Sequence, residues 1–282
     1  MNERFFAPAK INLSLSIFQP DATGYHPIDT LFCALELADE ISFEPAAGGI
    51  QLDVSGADLG PAHANLAYRA ADEFFRAASL PARLSMQLKK RIPAGGGLGG
   101  GSSDAATVLR ALNQLHRGLL PQDELLALAA HLGSDVAFFL CGSSLAHAAG
   151  RGDVLRILPP LPRAGVIVLV PTFGIATADA YRWLDQEGAY SPADAQAGAP
   201  YDWNSLAARA HNAFETVVFR KHPQLAELKS ALRESGAQIA LLSGSGSTLF
   251  GIYATLQDRD RAAKYLRQRV ADAAVVTTAT RA

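Results

Sequence analysis

The chain has 282 residues, of which 49% are hydrophobic and 18% are charged, and its formal net charge is −2. This composition is typical of a globular protein long enough to form two domains, and the net charge gives no reason to expect binding to nucleic acid or to an anionic membrane. Cys33 and Cys141 form neither a metal-ligand spacing nor a disulfide framework. The first residues lack the apolar core of a signal peptide, and no apolar run could span a bilayer, so we expect a cytoplasmic protein.

The first part of the chain alternates predicted strands with a capped helix. Alternating apolar residues predict a half-buried strand over residues 11–17, with Lys10 and Asn12 on its opposite face. Asn65 is predicted to cap a helix, because an asparagine side chain can accept an N–H of the first helical turn. Four other segments have the apolar pattern of strands, at residues 28–37, 41–43, 50–54 and 84–88.

A glycine-rich run follows, and residues 93–106 read Pro-Ala-Gly-Gly-Gly-Leu-Gly-Gly-Gly-Ser-Ser-Asp-Ala-Ala. The run leads into a helical pattern, and Ser102, Ser103 and Asp104 stand where an N-cap belongs. The first N–H groups of a helix have no intrahelical partners, and glycine lets the backbone approach an anion without a Cβ in the way. The run therefore predicts a loop that binds phosphate at a helix N-terminus.

Three other interpretations of this loop are weaker. Gly95, Gly97 and Gly100 match the spacing of the dinucleotide fingerprint, but that fold needs a strand directly after the helix. Residues 121–132 predict another helix instead. A Walker loop needs a lysine, which this run lacks, and a flexible linker would not be expected between a strand and an amphipathic helix.

The remainder of the chain predicts a strand pair and then a second domain. The strand pair at residues 145–148 and 154–157 is joined by the turn at 150–153, and the prolines of residues 159–162 mark a domain boundary. We therefore predict domains at residues 1–160 and 161–282. The second domain has the order β-α-β-β-α-β of the ferredoxin-like split βαβ arrangement. Its predicted elements are a strand at 166–170, a helix from 177, a polar loop at 190–200, helices at 205–219 and 224–234, strands at 239–242 and 248–253, a helix at 258–270 and a strand at 274–278.

Three motifs stand in a fixed order along the chain. They are Pro8-Ala9-Lys10-Ile11-Asn12-Leu13 with Gly24-Tyr25-His26-x-x-Asp29-Thr30-Leu31-Phe32, the glycine loop, and Leu242-Ser243-Gly244-Ser245-Gly246-Ser247-Thr248-Leu249-Phe250-Gly251. Together the motifs resemble those of the GHMP kinases, and more narrowly those of the 4-diphosphocytidyl-2-C-methyl-D-erythritol kinase family. Gly133-Ser134-Asp135-Val136 and Gly150-Arg151-Gly152-Asp153 add to the resemblance. Ala137 and Ala213 depart from the residues that this family commonly has there.

The resemblance implies an α+β, two-domain GHMP kinase-like fold, with a mixed α/β N-terminal domain and a ferredoxin-like C-terminal domain. It implies transfer of the γ-phosphoryl group of ATP to a hydroxyl of 4-diphosphocytidyl-2-C-methyl-D-erythritol. The product would be the 2-phosphate, in the non-mevalonate route to isoprenoid precursors. It further implies a small-molecule substrate, a monomer or homodimer, and no nucleic-acid or membrane partner.

The resemblance also implies roles for individual residues. Asp135 would be the catalytic base, Lys10 would stabilise it and the developing charge, and Asn12 would contact the reacting alcohol. Ser102 and Asp104 would lie near Mg²⁺. The residues implied to bind ATP are Asn65, Pro93, Ala94, Gly95, Gly96, Gly97, Leu98, Gly99, Gly100, Gly101, Ser102 and Ser103.

The cytidine base would lie between two aromatic rings. Tyr25 and Tyr181 are the implied stacking residues, with His26 at the polar edge of the base and Thr177 as a further substrate contact. Base–aromatic stacking contributes about 1–3 kcal/mol per base.

Taken singly, Asp135 could be a helix cap, Lys10 a solvated surface lysine, and the tyrosines ordinary packing residues. Taken together, in the order and spacing of the family, the residues favour the functional interpretation. Two other functions stay open. A GHMP kinase for homoserine, mevalonate or a sugar would share the glycine loop. A nucleotide-binding regulator without activity would share the fold.

Overall fold

The computed structural model of the chain describes residues 3–192 and 201–282, so most of the polar loop predicted at 190–200 lies outside the described residues. Contacts divide the chain into two compact units. The first unit is Met1–Ala9, Leu37–Ala94 and Gly99–Gly142, and the second is Lys10–Glu36, Gly95–Leu98 and Ser143–Ala282. These units are a different division from the one predicted at residue 160, which stays a prediction.

Ten strands and nine α-helices form in the described residues. The strands are β1 (Arg4–Ile17), β2 (Ile28–Pro45), β3 (Gly49–Ser55), β4 (Arg83–Lys89), β5 (Leu145–Gly150), β6 (Val154–Ile157), β7 (Gly165–Pro171), β8 (Ile239–Leu242), β9 (Leu249–Tyr253) and β10 (Ala273–Ala279). The helices are α1 (Leu66–Ala77), α2 (Gly100–Leu115), α3 (Gln122–Leu132), α4 (Val136–Leu140), α5 (Thr177–Glu187), α6 (Trp203–Arg209), α7 (Glu215–Lys221), α8 (Pro223–Glu234) and α9 (Leu256–Arg269). None of these helices is both long enough and apolar enough to cross a membrane.

The first unit packs helices against a small set of paired strands. Residues 40–45 of β2 pair antiparallel with β4, and β4 pairs in parallel with β3. Helix α1 packs against α2, and α2 packs against α3 and α4. Phe74, Met86 and Leu109 are fully buried, as expected for apolar residues at the spacing of one helical or strand face. The core of this unit therefore includes the apolar face of α2.

The second unit contains the predicted ferredoxin-like arrangement. Its four-stranded sheet has the order β10-β7-β9-β8, and every neighbouring pair is antiparallel. Helix α9 packs on β7, β9 and β10, and α8 packs on β8 and β9. Residues 28–33 of β2 pair with β5, and β5 pairs with β6, as the predicted strand pair requires.

One predicted helix is interrupted. Residues 205–219 were expected to form a single helix, but α6 ends at Arg209 and α7 begins at Glu215. Between them, the N–H of Leu15 donates to the carbonyl of His211, and the N–H of Ala213 donates to the carbonyl of Leu15. This pairing with β1 uses backbone groups that a continuous helix would need for itself, so the helix is broken.

The strands at the start of the chain also differ from their prediction. The segments expected at 28–37 and 41–43 form one strand, the 18-residue β2. Strand β1 was predicted to be half-buried, yet Ser14 and Ser16 on its polar face are buried as well. The polar side chains of β1 must therefore find hydrogen-bond partners inside the protein, because buried polar groups without partners are costly.

Candidate active site

The glycine loop leads into α2 through left-handed backbone. Gly95, Gly97 and Gly99 have φ values of +69°, +76° and +71°, which side chains with a Cβ rarely adopt. The N-cap of α2 is Gly99, whose carbonyl accepts the N–H of Ser103 at 2.9 Å. The N-cap expected at residues 102–104 was wrong, since the left-handed glycine ends the loop before the serines are reached. The first free N–H groups of α2 therefore belong to the glycines themselves.

A second glycine turn, residues 243–247, contacts the glycine loop within the second unit. Ser243 Oγ donates a hydrogen bond of 3.0 Å to the carbonyl of Gly97. A Cβ on Gly97 would lie 2.0 Å from the carbonyl oxygen of Ser243, so the two backbones approach as closely as glycine allows. The turn is held by Asn212, whose Nδ2 donates to the carbonyls of Leu242 and Gly244 at 2.8 Å each. The sequence analysis did not identify Asn212 as part of the site.

Lys10 and Asn12 start a chain of buried hydrogen bonds. Lys10 Nζ donates to Asn12 Oδ1 at 2.9 Å, and Asn12 Nδ2 donates to Thr30 Oγ1 at 2.8 Å. Thr30 in turn donates to the carbonyl of Ser14 at 2.6 Å. The backbone N–H of Lys10 donates to the carbonyl of Leu98 in the glycine loop at 2.9 Å. At 4% exposure Lys10 is no solvated surface lysine, and its ammonium group is fixed in position.

Asp135 stands at the N-cap position of α4, in the first unit. Its side chain makes no capping hydrogen bond, and the residue is half-buried. A carboxylate retained only as a helix cap would be expected to accept an N–H of the first helical turn. The helix-cap interpretation of Asp135 therefore loses its main support.

Asn65 caps α1 as predicted, because its Oδ1 accepts the N–H of Ala67 at 2.9 Å. It also borders a cavity of about 530 Å³ in the first unit. The apolar part of the lining includes Leu52, Val54 and Leu59. Asp58 lines it as well, and more of the cavity surface is polar than apolar.

Asp104, a candidate Mg²⁺ ligand, has a protein partner instead. Its Oδ2 accepts a hydrogen bond of 2.6 Å from Lys90 Nζ, and Lys90 also bonds to Asp39. Burial raises the pKa of Asp104 to about 7, and the nearby charge of Asp39 adds to the rise while Lys90 opposes it. A buried carboxylate bonded to an ammonium group does not fit a Mg²⁺ ligand, because the two cations would repel. Among the described residues, no group of three His, Cys, Asp or Glu side chains could hold a metal.

The raised pKa of Asp104 predicts a pH-dependent contribution to stability. The folded state keeps a proton that the unfolded state releases above its ordinary pKa of 3.8. This contribution is fully present below that pKa and is lost as the pH rises through about 7. Relative to Asp104→Asn, the unaltered protein should lose about 2 kcal/mol of unfolding free energy between about pH 5.5 and about pH 7.5. Denaturant titrations of both proteins would measure this, and a constant difference would contradict the shift.

The structure brings His26 and Tyr181 into direct contact. The two rings stack with centroids 5.0 Å apart, and Tyr181 also packs against Phe214. His26 Nδ1 lies 3.2 Å from the carbonyl of Phe18, which accepts its proton, and Nε2 lies 3.1 Å from Asp185 Oδ1. Both edges of the imidazole ring therefore already face protein acceptors.

Tyr25 and Thr177 have separate surroundings. Tyr25 is 37% exposed, and the guanidinium group of Arg151 lies 4.4 Å from the centre of its ring. Thr177 Oγ1 lies 2.9 Å from Ser245 Oγ, which joins the start of α5 to the second glycine turn. Arg151 belongs to the motif Gly150-Arg151-Gly152-Asp153, which by itself gave this residue no role. Its position over the ring of Tyr25 places it beside a candidate base-stacking residue.

Comparisons with known proteins agree with the resemblance of the motifs. Residues 65–143 match the GHMP kinases N terminal domain, and residues 194–272 match the GHMP kinases C terminal domain. The 4-diphosphocytidyl-2-C-methyl-D-erythritol kinase of Pelotomaculum thermopropionicum is 43% identical over 267 residues, which cover 93% of each chain. The enzyme of the same name from Syntrophomonas wolfei is 40% identical over 251 residues, which cover 88% of each chain.

Solved structures extend the comparison to the fold. A crystal structure of 4-(cytidine 5'-diphospho)-2C-methyl-D-erythritol kinase superposes with a TM-score of 0.86 at 37% identity, covering 99% of this chain and 100% of the other. A homoserine kinase from Cytophaga hutchinsonii has a TM-score of 0.68 at 17% identity, covering 99% of this chain and 94% of the other. The second likeness is one of fold alone.

Proposed function

The chain belongs to the 4-diphosphocytidyl-2-C-methyl-D-erythritol kinase family of the GHMP kinases, and on that premise we propose that it phosphorylates 4-diphosphocytidyl-2-C-methyl-D-erythritol with ATP. The product is the 2-phosphate, an intermediate of the non-mevalonate route to isoprenoid precursors. The observation that carries the proposal is 43% sequence identity to a kinase of this family over 93% of the chain. The buried Lys10 and the close contact between the two glycine turns support it.

ATP is assigned to the glycine loop and to the cavity beside Asn65. The left-handed glycines carry no Cβ, and the first N–H groups of α2 have no intrahelical partner, which suits the phosphate groups of a nucleotide. The cavity of about 530 Å³ in the first unit is large enough for an adenine ring, and Asn65 is assigned as one of its polar contacts. Pro93, Ala94 and Gly96 complete the loop as predicted ATP contacts.

The transfer itself needs a base and a positive charge. We assign Asp135 as the base, which accepts the hydroxyl proton while the alcohol oxygen bonds to the γ-phosphorus and the bond to the β-phosphate oxygen breaks. Lys10 is assigned to stabilise the negative charge that develops, since Asn12 holds its ammonium group in place. Asn12 is assigned to contact the reacting alcohol.

Magnesium stays a proposal, and its ligands are revised. When bound, Mg²⁺ would neutralise charge on the nucleotide phosphates. The contacts of Asp104 do not fit a metal ligand, so only the hydroxyl group of Ser102, at the third position of α2, is kept as a candidate. We assign no step of the reaction to the metal. Cytoplasmic location and a monomeric or homodimeric state also stay predictions.

The cytidine base is assigned to the aromatic residues of the second unit. Tyr25 offers an exposed ring, and Tyr181 is half-buried beside His26. Thr177 is kept as a further substrate contact, at the second glycine turn. Because Asp185 already faces His26 Nε2, the base edge must share or replace this contact for His26 to read it.

Tyr181→Ala should weaken binding of 4-diphosphocytidyl-2-C-methyl-D-erythritol, called the cytidine ester below, more than it slows the reaction. Loss of stacking amounts to about 1–3 kcal/mol, or roughly 5- to 150-fold in the KM for the ester. The base is remote from the reacting hydroxyl, so kcat and the KM for ATP should change by less than about threefold. Tyr265→Ala is the control, because Tyr265 is an aromatic residue of α9 whose ring lies beside Arg269. Equal KM values for the two variants would contradict the assignment of Tyr181.

The function is tested by measuring ATP consumption with a panel of alcohols. We expect the cytidine ester of methylerythritol to be phosphorylated, and homoserine, mevalonate and galactose to be ignored. Faster turnover of a simpler alcohol would leave a GHMP kinase but remove the cytidine site. ATP binding without turnover of any alcohol would favour a regulator.

A further inference from the structure

One buried ion-pair cluster joins the two ends of the glycine loop. We call it the Lys90 cluster, and it consists of Asp39, Lys90 and Asp104, whose side chains are 0%, 4% and 1% exposed. Asp39 lies on β2, Lys90 directly follows β4, and Asp104 lies on α2, all in the first unit. None of the three was assigned this part in the sequence analysis, because they are distant in the sequence.

Asp39 fixes the backbone at the start of the loop. Its Oδ1 accepts the N–H of Arg91 at 2.5 Å and the N–H of Ile92 at 2.8 Å. These two residues directly precede Pro93, the first residue of the loop. Two charge-assisted hydrogen bonds to adjacent backbone groups leave this segment little freedom to rotate.

Lys90 connects that fixed segment to the helix at the other end. Its Nζ bonds to Asp39 and donates to Asp104 Oδ2 at 2.6 Å. A Cβ on Gly100 would lie 3.3 Å from Nζ, so the ammonium group sits beside the first residue of α2. Both ends of the loop are therefore connected to one ammonium group, the start through Asp39 and the helix through Asp104.

We propose that the Lys90 cluster positions the glycine loop for ATP, so that Asp39, Lys90 and Asp104 set nucleotide affinity without touching the nucleotide. The inference rests on the proposed function, since it takes the loop as the phosphate site. A loop with six glycines has unusually many conformations to lose on binding. Fixing both of its ends in advance reduces that loss and raises affinity. The three side chains are positioning residues.

Two near-isosteric substitutions at Asp104 test the hydrogen bond between Lys90 and Asp104. Asp104→Asn keeps an oxygen that can accept from Lys90, whereas Asp104→Leu has nearly the same shape and cannot accept. We expect Asp104→Leu to raise the KM and Kd for ATP by at least about tenfold, with the KM for the cytidine ester changed by less than about twofold. Asp104→Asn should keep the ATP values within about threefold of the unaltered protein. Equal ATP affinity in the two variants would overturn the proposal.

Asp39→Asn tests the contact between Lys90 and Asp39, and it covers the case in which Asp104→Leu does not fold. It keeps an oxygen for the N–H groups of residues 91 and 92 but replaces the acceptor for Lys90 with an amide donor. We expect the same selective loss of ATP affinity. Unchanged ATP affinity in folded Asp39→Asn would overturn the proposal.

Loss of stability alone is excluded with Leu125→Ala, which opens a cavity beside the first turn of α3, and α3 follows the C-terminal end of α2 rather than its N-terminus. We expect this variant to lower Tm and keep the KM for ATP. If it raises that KM as much as the cluster variants do, the effect is one of general destabilisation, and the positioning role is overturned. If the unaltered protein binds no ATP, the proposed function fails and the inference with it, whereas failure of the variants alone removes only the inference.

Discussion

Asp135→Asn is expected to lower kcat by about 10²–10⁴-fold, while the Kd for ATP changes by less than about threefold. The amide cannot accept the hydroxyl proton, so the alcohol must attack the γ-phosphorus without a base. Asparagine is as good an N-cap as aspartate and has nearly the same shape, so the substitution should leave α4 in place. Single-turnover kinetics and nucleotide titration on one preparation would measure both quantities.

The matched control is Asp202→Asn. Asp202 is the N-cap of α6, and its side chain does accept the N–H of Ser205 at 2.9 Å. The substitution is the same, at the same helix position, so any effect common to caps should appear in both variants. A kcat for Asp135→Asn that matches the kcat of Asp202→Asn would return Asp135 to a structural role.

Gly97→Ala should lower the free energy of unfolding, and weaken ATP binding, far more than Gly95→Ala. Both glycines have left-handed backbone, so an alanine at either site costs about 1–2 kcal/mol from φ alone. Only at Gly97 does the new Cβ collide with Ser243, at 2.0 Å from a carbonyl oxygen, whereas at Gly95 no atom lies within 4 Å. Relieving the collision should cost roughly a further 1–3 kcal/mol, because one of the two turns has to move.

Two measurements separate the two glycine variants. Denaturant titration should give the larger loss of unfolding free energy for Gly97→Ala, and steady-state kinetics should show a rise of at least about tenfold in its KM for ATP. The KM for the cytidine ester serves as the internal reference. Equal loss of stability in the two variants would show that the contact between the glycine turns is not close.

Several parts of the fold could be predicted from the sequence because the signals are local. The strand-helix order of the second unit follows from residues 166–278, and the sheet order β10-β7-β9-β8 confirms it. Asn65 caps α1 as its residue type predicts. The glycine run also predicted a loop before a helix, since glycine adopts the left-handed φ values of residues 95, 97 and 99 more readily than residues with a Cβ do.

The candidate site was predictable only as a set of residues. The motifs pointed to Lys10, Asn12 and the glycine loop, and the hydrogen bonds of the second unit bring these together. Their order along the chain, matched to a known family, carried that prediction. The roles of Asp135 and of the cytidine-binding residues stay predictions until the variants above are measured.

By itself the sequence determined the periodic elements, the glycine-rich turns and the family, because periodicity, φ preference and motif order are properties of neighbouring residues. Only the tertiary structure decided that Gly99 caps α2, that a pairing with β1 divides α6 from α7, and that Asp104 bonds to Lys90 rather than standing open to a metal. Asp39 and Lys90 are 51 residues apart, and they meet because β2 and β4 pair. A buried charge requires a partner, but which residue becomes that partner depends on the path of the whole chain.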